Sequence, residues 1–257
     1  MAEFFVVLFG LVVGSFLNVC IYRLPRDQSV VQPRSACPAC RHAIQLRDNI
    51  PVLSFMLLRG RCRHCRAAIS PRYALVEIIN ALMWVFLWLR HGTLLEFASS
   101  ALLFSVLLAV FFADLETGLI PDEFSLGGLA AGLIFSALLP ERFGAQGWSA
   151  ALFASGLGAL AGGGLLYLTG LLGRLLFRKE SMGLGDVKLL AMLGAFLGSP
   201  GVFFVFLIAP ILALPIALFE RFVRKEETIP FGPYLALAGA VVYLWEQPLK
   251  TYFFGTY

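Results

Sequence analysis

The chain has 257 residues, 59% of them hydrophobic and only 14% charged, with a mean hydropathy of +0.83. A soluble domain of this length needs far fewer apolar residues to fill its core, so the composition excludes a soluble enzyme and places the chain in a bilayer. The net charge of +4 is read as orientation in the membrane and contact with anionic headgroups, and not as a nucleic-acid surface.

In chain order, residues 4–22 form the first uncharged apolar run, near the roughly 20 residues needed to cross a hydrocarbon core. No basic segment precedes it, and Arg23 and Arg26 follow it, so it reads as a retained span and not as a cleaved signal peptide. Residues 23–72 then form a polar insert that holds ten of the twenty Lys and Arg residues. Beyond it, apolar runs at 149–173 and 201–219 are clear spans. Those at 73–89, 94–113, 124–139 and 231–245 are weaker, and the run 187–198 is short. The expected fold is therefore an all-α polytopic membrane protein of about eight transmembrane helices, with a small cytoplasmic insert after the first. The expected divisions are 1–22, 23–72 and a bundle over 73–257.

Orientation follows from positive charge, which collects on the cytoplasmic side. A cytoplasmic insert places the N-terminus outside and brings residues 114–122, 174–188 and 220–229 inside. Arg174, Arg178, Lys179, Lys188, Arg221, Arg224 and Lys225 join the ten in the insert, and only Arg90, Arg142 and Lys250 are left outside. No internal repeat is read from the sequence. The run GLGALAGGG over Gly156–Gly164 is expected to be a helix-packing surface, since small residues let helices approach closely in lipid. Pro210 and Pro215 are expected to kink the last long helix.

The insert carries Cys37-Pro38-Ala39-Cys40 and Cys62-Arg63-His64-Cys65. Two CxxC knuckles at this separation can wrap four thiolates around one zinc ion. A cytoplasmic insert faces a reducing compartment, which disfavours disulfides. A four-thiolate site leaves no open position for water, so the expected zinc is structural. His42 and His64 are read as solvated loop residues, and Cys20 as a small buried residue in the first span.

Two acids stand where apolar runs begin or end: Asp114 in ADLETGLIPDEF and Asp186 in MGLGDVKLL. An ionisable group near hydrocarbon needs a reason to be there. Brought together, two carboxylates share a proton, the chemistry by which an aspartic protease activates water. On residue chemistry alone two plainer readings stand beside this one. Asp186 can be a helix cap, and Asp114 with Glu116, Asp122 and Glu123 can be a solvated turn. Gly183 and Gly185 are expected to permit a tight bend before the second acid, and Lys188 is expected to bias the pair or touch headgroups.

The ordered segments GSFLNVCIYRLP (14–25), the paired CxxC insert, NIPVLSFMLLRGRC (49–62), ISPRYALVE (69–77), DLETGLIPD (114–122), GLGDVKL (183–189) and IPFGPYLALA (229–238) resemble the type IV prepilin peptidases, a group of GxGD intramembrane aspartyl proteases. Phe55 stands where relatives often have Trp. The resemblance implies that Asp114 and Asp186 are the catalytic pair and that Asp122 is not a member of it. It implies a bacterial inner-membrane enzyme with its site at the cytoplasmic face. Such an enzyme removes short basic leaders from prepilins and pseudopilins, in pilus assembly or protein secretion, and then methylates the new N-terminus with S-adenosylmethionine.

No glycine-rich nucleotide fingerprint follows a strand, so the sequence assigns no residues to that methyl donor. Glu77, Arg72 and Asn18 are candidates by position, with packing or interfacial anchoring the favoured reading of each. A transporter would show two matching halves with interrupted helices, and a zinc metalloprotease would show HExxH. The sequence has neither. A zinc-bearing scaffold would need neither aspartate.

Overall fold

The computed structural model describes residues 1–177, 182–225 and 229–245. Arg178, Lys179 and Lys250 of the charge pattern lie outside these described residues. The chain divides into two compact units, Met1–Ala109 and Val110–Tyr257. Among the described residues, five helices are long and apolar enough to cross a membrane, as expected of a multi-pass membrane protein.

The first unit contains α1 (Ala2–Arg23), the short α2 (Leu53–Leu57), α3 (Arg72–Arg90) and the first part of α4 (Leu94–Thr117). Helices α1 and α3 run antiparallel, in a register fixed by small residues. A Cβ on Gly10 would stand 2.8 Å from the Ala81 Cα, and one on Gly14 would stand 2.7 Å from the Glu77 Cα. Gly10 and Gly14 are four residues apart, so they line one helix face and let the two backbones meet. Asn18, the next residue in that series, donates from Nδ2 to the Tyr73 carbonyl at 2.9 Å. A buried polar chain ties in α4: Trp84 Nε1 donates to Ser105 Oγ, Ser105 Oγ to Asn80 Oδ1, and Asn80 Nδ2 to the Gly10 carbonyl. The opposite face of α1 leaves Phe4, Phe9 and Phe16 exposed, as expected of a surface solvated by lipid tails.

The insert between α1 and α3 is built on a duplication that the sequence reading missed. Residues 35–44 (SACPACRHAI) and 60–69 (GRCRHCRAAI) share the pattern C-x-x-C-R-x-A-I. Their hydrogen bonds correspond as well. Cys37 N–H donates to His42 O as Cys62 N–H does to Ala67 O, and Ile44 N–H donates to Ser35 O as Ile69 N–H does to Gly60 O. Each copy closes with one antiparallel bridge, Ala36 with Ala43 and Arg61 with Ala68. Each also places an arginine, Arg41 or Arg66, at positive φ.

The second unit contains the end of α4, α5 (Asp122–Leu138), α6 (Trp148–Phe177), α7 (Leu184–Phe219) and α8 (Gly232–Leu244). Within α7, Gly198 has φ 69° and ψ 179°, a conformation reserved for glycine. A Cβ on Gly162 would meet both the Leu190 carbonyl oxygen, at 2.4 Å, and Val202 Cγ2, at 2.8 Å. A straight helix would separate residues 190 and 202 by about 18 Å. The chain therefore doubles back at Gly198, and α7 is a hairpin of two arms, 184–197 and 199–219. This is where the expected break falls. Pro210 and Pro215 lie within the second arm, where the dihedrals stay helical.

The first arm is the centre of the unit. Leu189, Leu190, Met192, Leu193 and Ala195 are fully buried, and each surrounding helix brings a small residue against the arm. Gly132 of α5 faces Ala195 and Phe196, Gly158 of α6 faces the Gly194 carbonyl, and Gly239 of α8 faces Leu193. Ser155 Oγ adds a hydrogen bond to the Ala195 carbonyl at 2.7 Å. An apolar segment this short crosses no bilayer alone; it is apolar on all sides because protein covers all of them. The packing role expected of Gly156–Gly164 is seen at Gly158 and Gly162, whereas Gly156 and Gly164 face open space.

A Cβ on Gly194 would sit 2.0 Å from the Gly158 carbonyl oxygen, a backbone contact with no flexible group to yield. Gly194→Ala should cost at least about 2 kcal/mol, in the range of core overpacking, and lower the melting temperature in detergent by several degrees. Gly156→Ala should leave that temperature within about a degree, because it adds one methyl to an open helix face. Equal melting of the two variants would contradict the packing described.

Candidate active site and metal centre

Asp114 lies in the last turn of α4, four residues before Gly118, whose φ of +66° ends the helix. It is 4% exposed, which removes the solvated-turn reading. Its Oδ2 accepts the backbone N–H of Gly232 at 2.9 Å, at the start of α8. A Cβ on Gly232 would lie 2.7 Å from that same oxygen and 2.9 Å from Ile120 Cδ1, so only glycine lets this N–H reach the carboxylate.

Asp186 occupies the first turn of α7, three residues after the N-cap Gly183. Its carboxylate turns back to accept the Gly183 N–H and lies within Coulombic reach of Asp114. The capping reading is thus correct as geometry, and it leaves one carboxylate oxygen for other work. Gly183 has an ordinary φ of −74°, so the tight bend expected of the glycines is not what they supply. They supply room: Gly185 lies against Ile120, with a notional Cβ 3.1 Å from the Ile120 Cβ. Ile120 therefore touches Gly185 on one side and Gly232 on the other. Segments 114–122, 183–189 and 229–238 converge there within one compact unit.

Lys188 makes a salt bridge with Asp122, with Nζ 2.6 Å and 2.9 Å from the two carboxylate oxygens, so its charge is spent on an acid outside the pair. The role expected of it in biasing that pair is corrected accordingly. Sequence reasoning missed two site residues, Ile120 and Gly232. The signal for Gly232 was its place between Phe231 and Pro233, where a glycine followed by proline opens a helix.

In the insert, the sulfur atoms of Cys37, Cys40, Cys62 and Cys65 all lie within 4.8 Å of one another, with Cys37 Sγ and Cys65 Sγ 3.8 Å apart. Tetrahedral zinc with bonds of about 2.3 Å needs sulfurs about 3.8 Å apart, far beyond the length of a disulfide bond. The N–H groups of Cys65 and His64 pull the Cys62 thiol down to about 6. Cys65 is pushed up to about 11: the Ala67 N–H pulls it down, but desolvation and the three neighbouring sulfurs outweigh that pull. Crowded thiolates of this kind fit a divalent cation that neutralises them. The four cysteines can therefore hold a metal. The His42 and His64 rings stack against each other, with centroids 3.5 Å apart. Arg63 clamps Asp48 through three contacts of 2.6–3.1 Å, and that hydrogen-bonded guanidinium holds the Asp48 carboxyl below its usual range.

In Glu77, the first unit holds a buried carboxylate of its own, the second with Asp114 among the described residues. It is 7% exposed and accepts the Val52 N–H at 2.7 Å.

Two family descriptions match the chain. The Bacterial Peptidase A24 N-terminal domain covers residues 8–91, and the Type IV leader peptidase family covers residues 101–218. A prepilin leader peptidase/N-methyltransferase of Aeromonas salmonicida is 37% identical over 98% of this chain and 93% of its own length. One of the same description from Pseudomonas aeruginosa is 36% identical over 96% and 91%. A type 4 prepilin-like proteins leader peptide-processing enzyme of Escherichia coli is 38% identical over 91% of each. No solved structure matches. With identity at this level over nine-tenths or more of both chains, and with the peptidase description lying over the helices that carry Asp114 and Asp186, this protein belongs to the type IV leader peptidase family.

Proposed function

We propose that this protein is an aspartyl endopeptidase of the bacterial inner membrane that removes the basic leader from prepilins and pseudopilins and then methylates the new N-terminus. The observation that carries this reading is the convergence of Asp114, Ile120, Gly185, Asp186 and Gly232, from three distant segments, around two carboxylates within Coulombic reach. The asymmetry of positive charge between loops supports a cytoplasmic site and a cytoplasmic insert over residues 23–72.

In this reading Asp114 and Asp186 share one proton. The ionised member takes a proton from water while the protonated member hydrogen-bonds the scissile carbonyl. Water oxygen adds to the carbonyl carbon, and collapse of the tetrahedral adduct breaks the C–N bond, with a proton passing to the leaving amine. The Gly232 N–H holds one Asp114 oxygen and so orients the carboxylate. A leader rich in Lys and Arg is attracted to carboxylates, while the apolar segment behind the cut lies in lipid. Zinc on Cys37, Cys40, Cys62 and Cys65 is structural. S-adenosylmethionine, when bound, supplies the methyl group.

Mass spectrometry of a pilin-like substrate incubated with the detergent-purified enzyme tests the reading. The wild type should release the leader and, with S-adenosylmethionine, add one methyl. Asp114→Asn and Asp186→Asn should each lower cleavage by more than about a thousandfold, near the upper range of acid–base contributions. Rapid cleavage by either variant would remove it from the pair. Gly232→Ala should slow cleavage at least about tenfold through loss of carboxylate orientation, measured against Gly127→Ala, which meets nothing within 4 Å. Elemental analysis should find one zinc per chain. Cys37→Ser should lose it and open the arginine-rich insert to trypsin; full zinc retention would exclude Cys37 as a ligand.

A further inference from the structure

The first unit holds a polar constellation that proteolysis does not use. Glu77 Oε2 accepts the Val52 N–H, and Ser15 of α1 hydrogen-bonds the same carboxylate. Both partners are neutral donors, and among the described residues no salt bridge reaches this carboxylate. One turn earlier on α3, Tyr73 receives the amide of Asn18. That residue is 3% exposed, and its Oδ1 is buried with no hydrogen-bond partner. Helical side chains lean toward the N-terminus of their helix, which directs Glu77 toward the turn of residue 73, whose carbonyl Asn18 meets. The antiparallel register through Gly14 makes the same juxtaposition from α1. Two acceptors, one charged and one unsatisfied, are the complement of a primary ammonium, which brings three donors and a positive charge.

The wall of this site is strained. Val52, which donates to Glu77, has φ 60° and ψ −49°, a conformation rarely taken by a β-branched residue. The turn holding it is pinned by Ser54, whose Oγ accepts the Ile50 N–H and donates to the Arg47 carbonyl, each at 3.0 Å. Strain kept at a turn that serves a buried acid is a mark of a functional position. Both aspartates lie in the second unit, under the peptidase description; Asn18, Val52 and Glu77 lie in the first, under the other.

We propose that Glu77, with Asn18 Oδ1, forms the site that holds the α-ammonium of the processed N-terminus and takes its proton before methylation. The inference rests on the methyl-transfer part of the proposed function. An α-amino group with a pKa of about 7.7–8.0 is mostly protonated near pH 7 and has no lone pair to offer. Glu77 accepts one N–H proton, and Asn18 Oδ1 and the carboxylate hold the remaining donors. The freed nitrogen lone pair then bonds to the methyl carbon of an alkyl sulfonium donor while the carbon–sulfur bond breaks, its electron pair staying on sulfur. The products are a neutral thioether and a singly methylated ammonium, the positive charge having passed from sulfur to nitrogen.

The full-length enzyme in detergent is assayed with an already processed pilin-like peptide, whose terminal amine is the only methyl acceptor, and with an uncut substrate. Glu77→Gln should lower methylation at pH 6.5 at least about a hundredfold, the scale of a lost proton acceptor. It should leave leader cleavage and equilibrium binding of radiolabelled S-adenosylmethionine within about twofold, since neither uses this carboxylate. The variant's methylation rate should climb about tenfold per pH unit and level off near pH 8, where the amine loses its own proton, while the wild type stays nearly flat. Glu77→Asp should recover part of the activity. Methylation by Glu77→Gln within threefold of wild type would overturn the proposal. So would loss of donor binding in step with methylation, which would make this the donor's ammonium site, or a flat pH profile in the variant, which would mark a structural role. A wild type that cleaves but never methylates would instead remove the reading on which the proposal rests.

Discussion

The second unit depends on backbone meeting backbone at Gly158 and Gly194, where each glycine lies against the other's carbonyl oxygen. In lipid there is little hydrophobic gain in pressing one apolar helix on another, so association relies on close packing and on hydrogen bonds that small residues permit. That contact seats the first arm of α7 in the middle of the unit and adds the Ser155 bond to it. Asp186 lies in the first turn of this arm. Its position is therefore set by the most enclosed helix of the unit, not by a loop.

The first unit uses the same device with a different outcome. Gly10 and Gly14 bring α1 onto α3, but the next residue in the series is Asn18 and the residue opposite Gly14 is Glu77. Close approach here buries polar atoms. Both units thus hold carboxylates in apolar surroundings by satisfying one oxygen with a backbone N–H, from Gly232 for Asp114 and from Val52 for Glu77. For Asp114 that neutral hydrogen bond offsets part of the cost of burial and leaves the other oxygen uncommitted; Glu77 has Ser15 beside it as well.

The chemistry was legible in the sequence wherever residue type alone is improbable. Paired CxxC motifs and acids at the ends of apolar runs stand out without a structure, and span positions followed from composition. The relations between segments were less legible. That Gly232 reaches Asp114 depends on residues 118 positions apart, and no local pattern encodes the pairing. The reversal at Gly198 was legible, since positive charge places the segments on either side of the runs 187–198 and 201–219 on one face, but the glycine dihedrals that make it were not. The duplication at residues 35–44 and 60–69 was readable but obscured, since only C-x-x-C-R-x-A-I survives between its copies. The Gly10 and Gly14 pair was readable as a small-residue motif.

The hairpin of α7 bears on how the protein enters the membrane. Its first arm, residues 184–197, is about 21 Å long at 1.5 Å per residue, shorter than the roughly 30 Å hydrocarbon core. A translocon that releases helices one at a time into lipid would expose both ends of this arm, with Asp186 near one of them. The second arm, residues 199–219, is long enough to anchor the pair, and Gly198 provides the reversal. The two arms therefore have to leave the translocon together, and α6 has to be waiting, because its glycines cover the arm that lipid cannot. Assembly of this half of the protein is in that sense ordered: the helix whose first turn carries Asp186 becomes a membrane segment only after its neighbours have made a place for it.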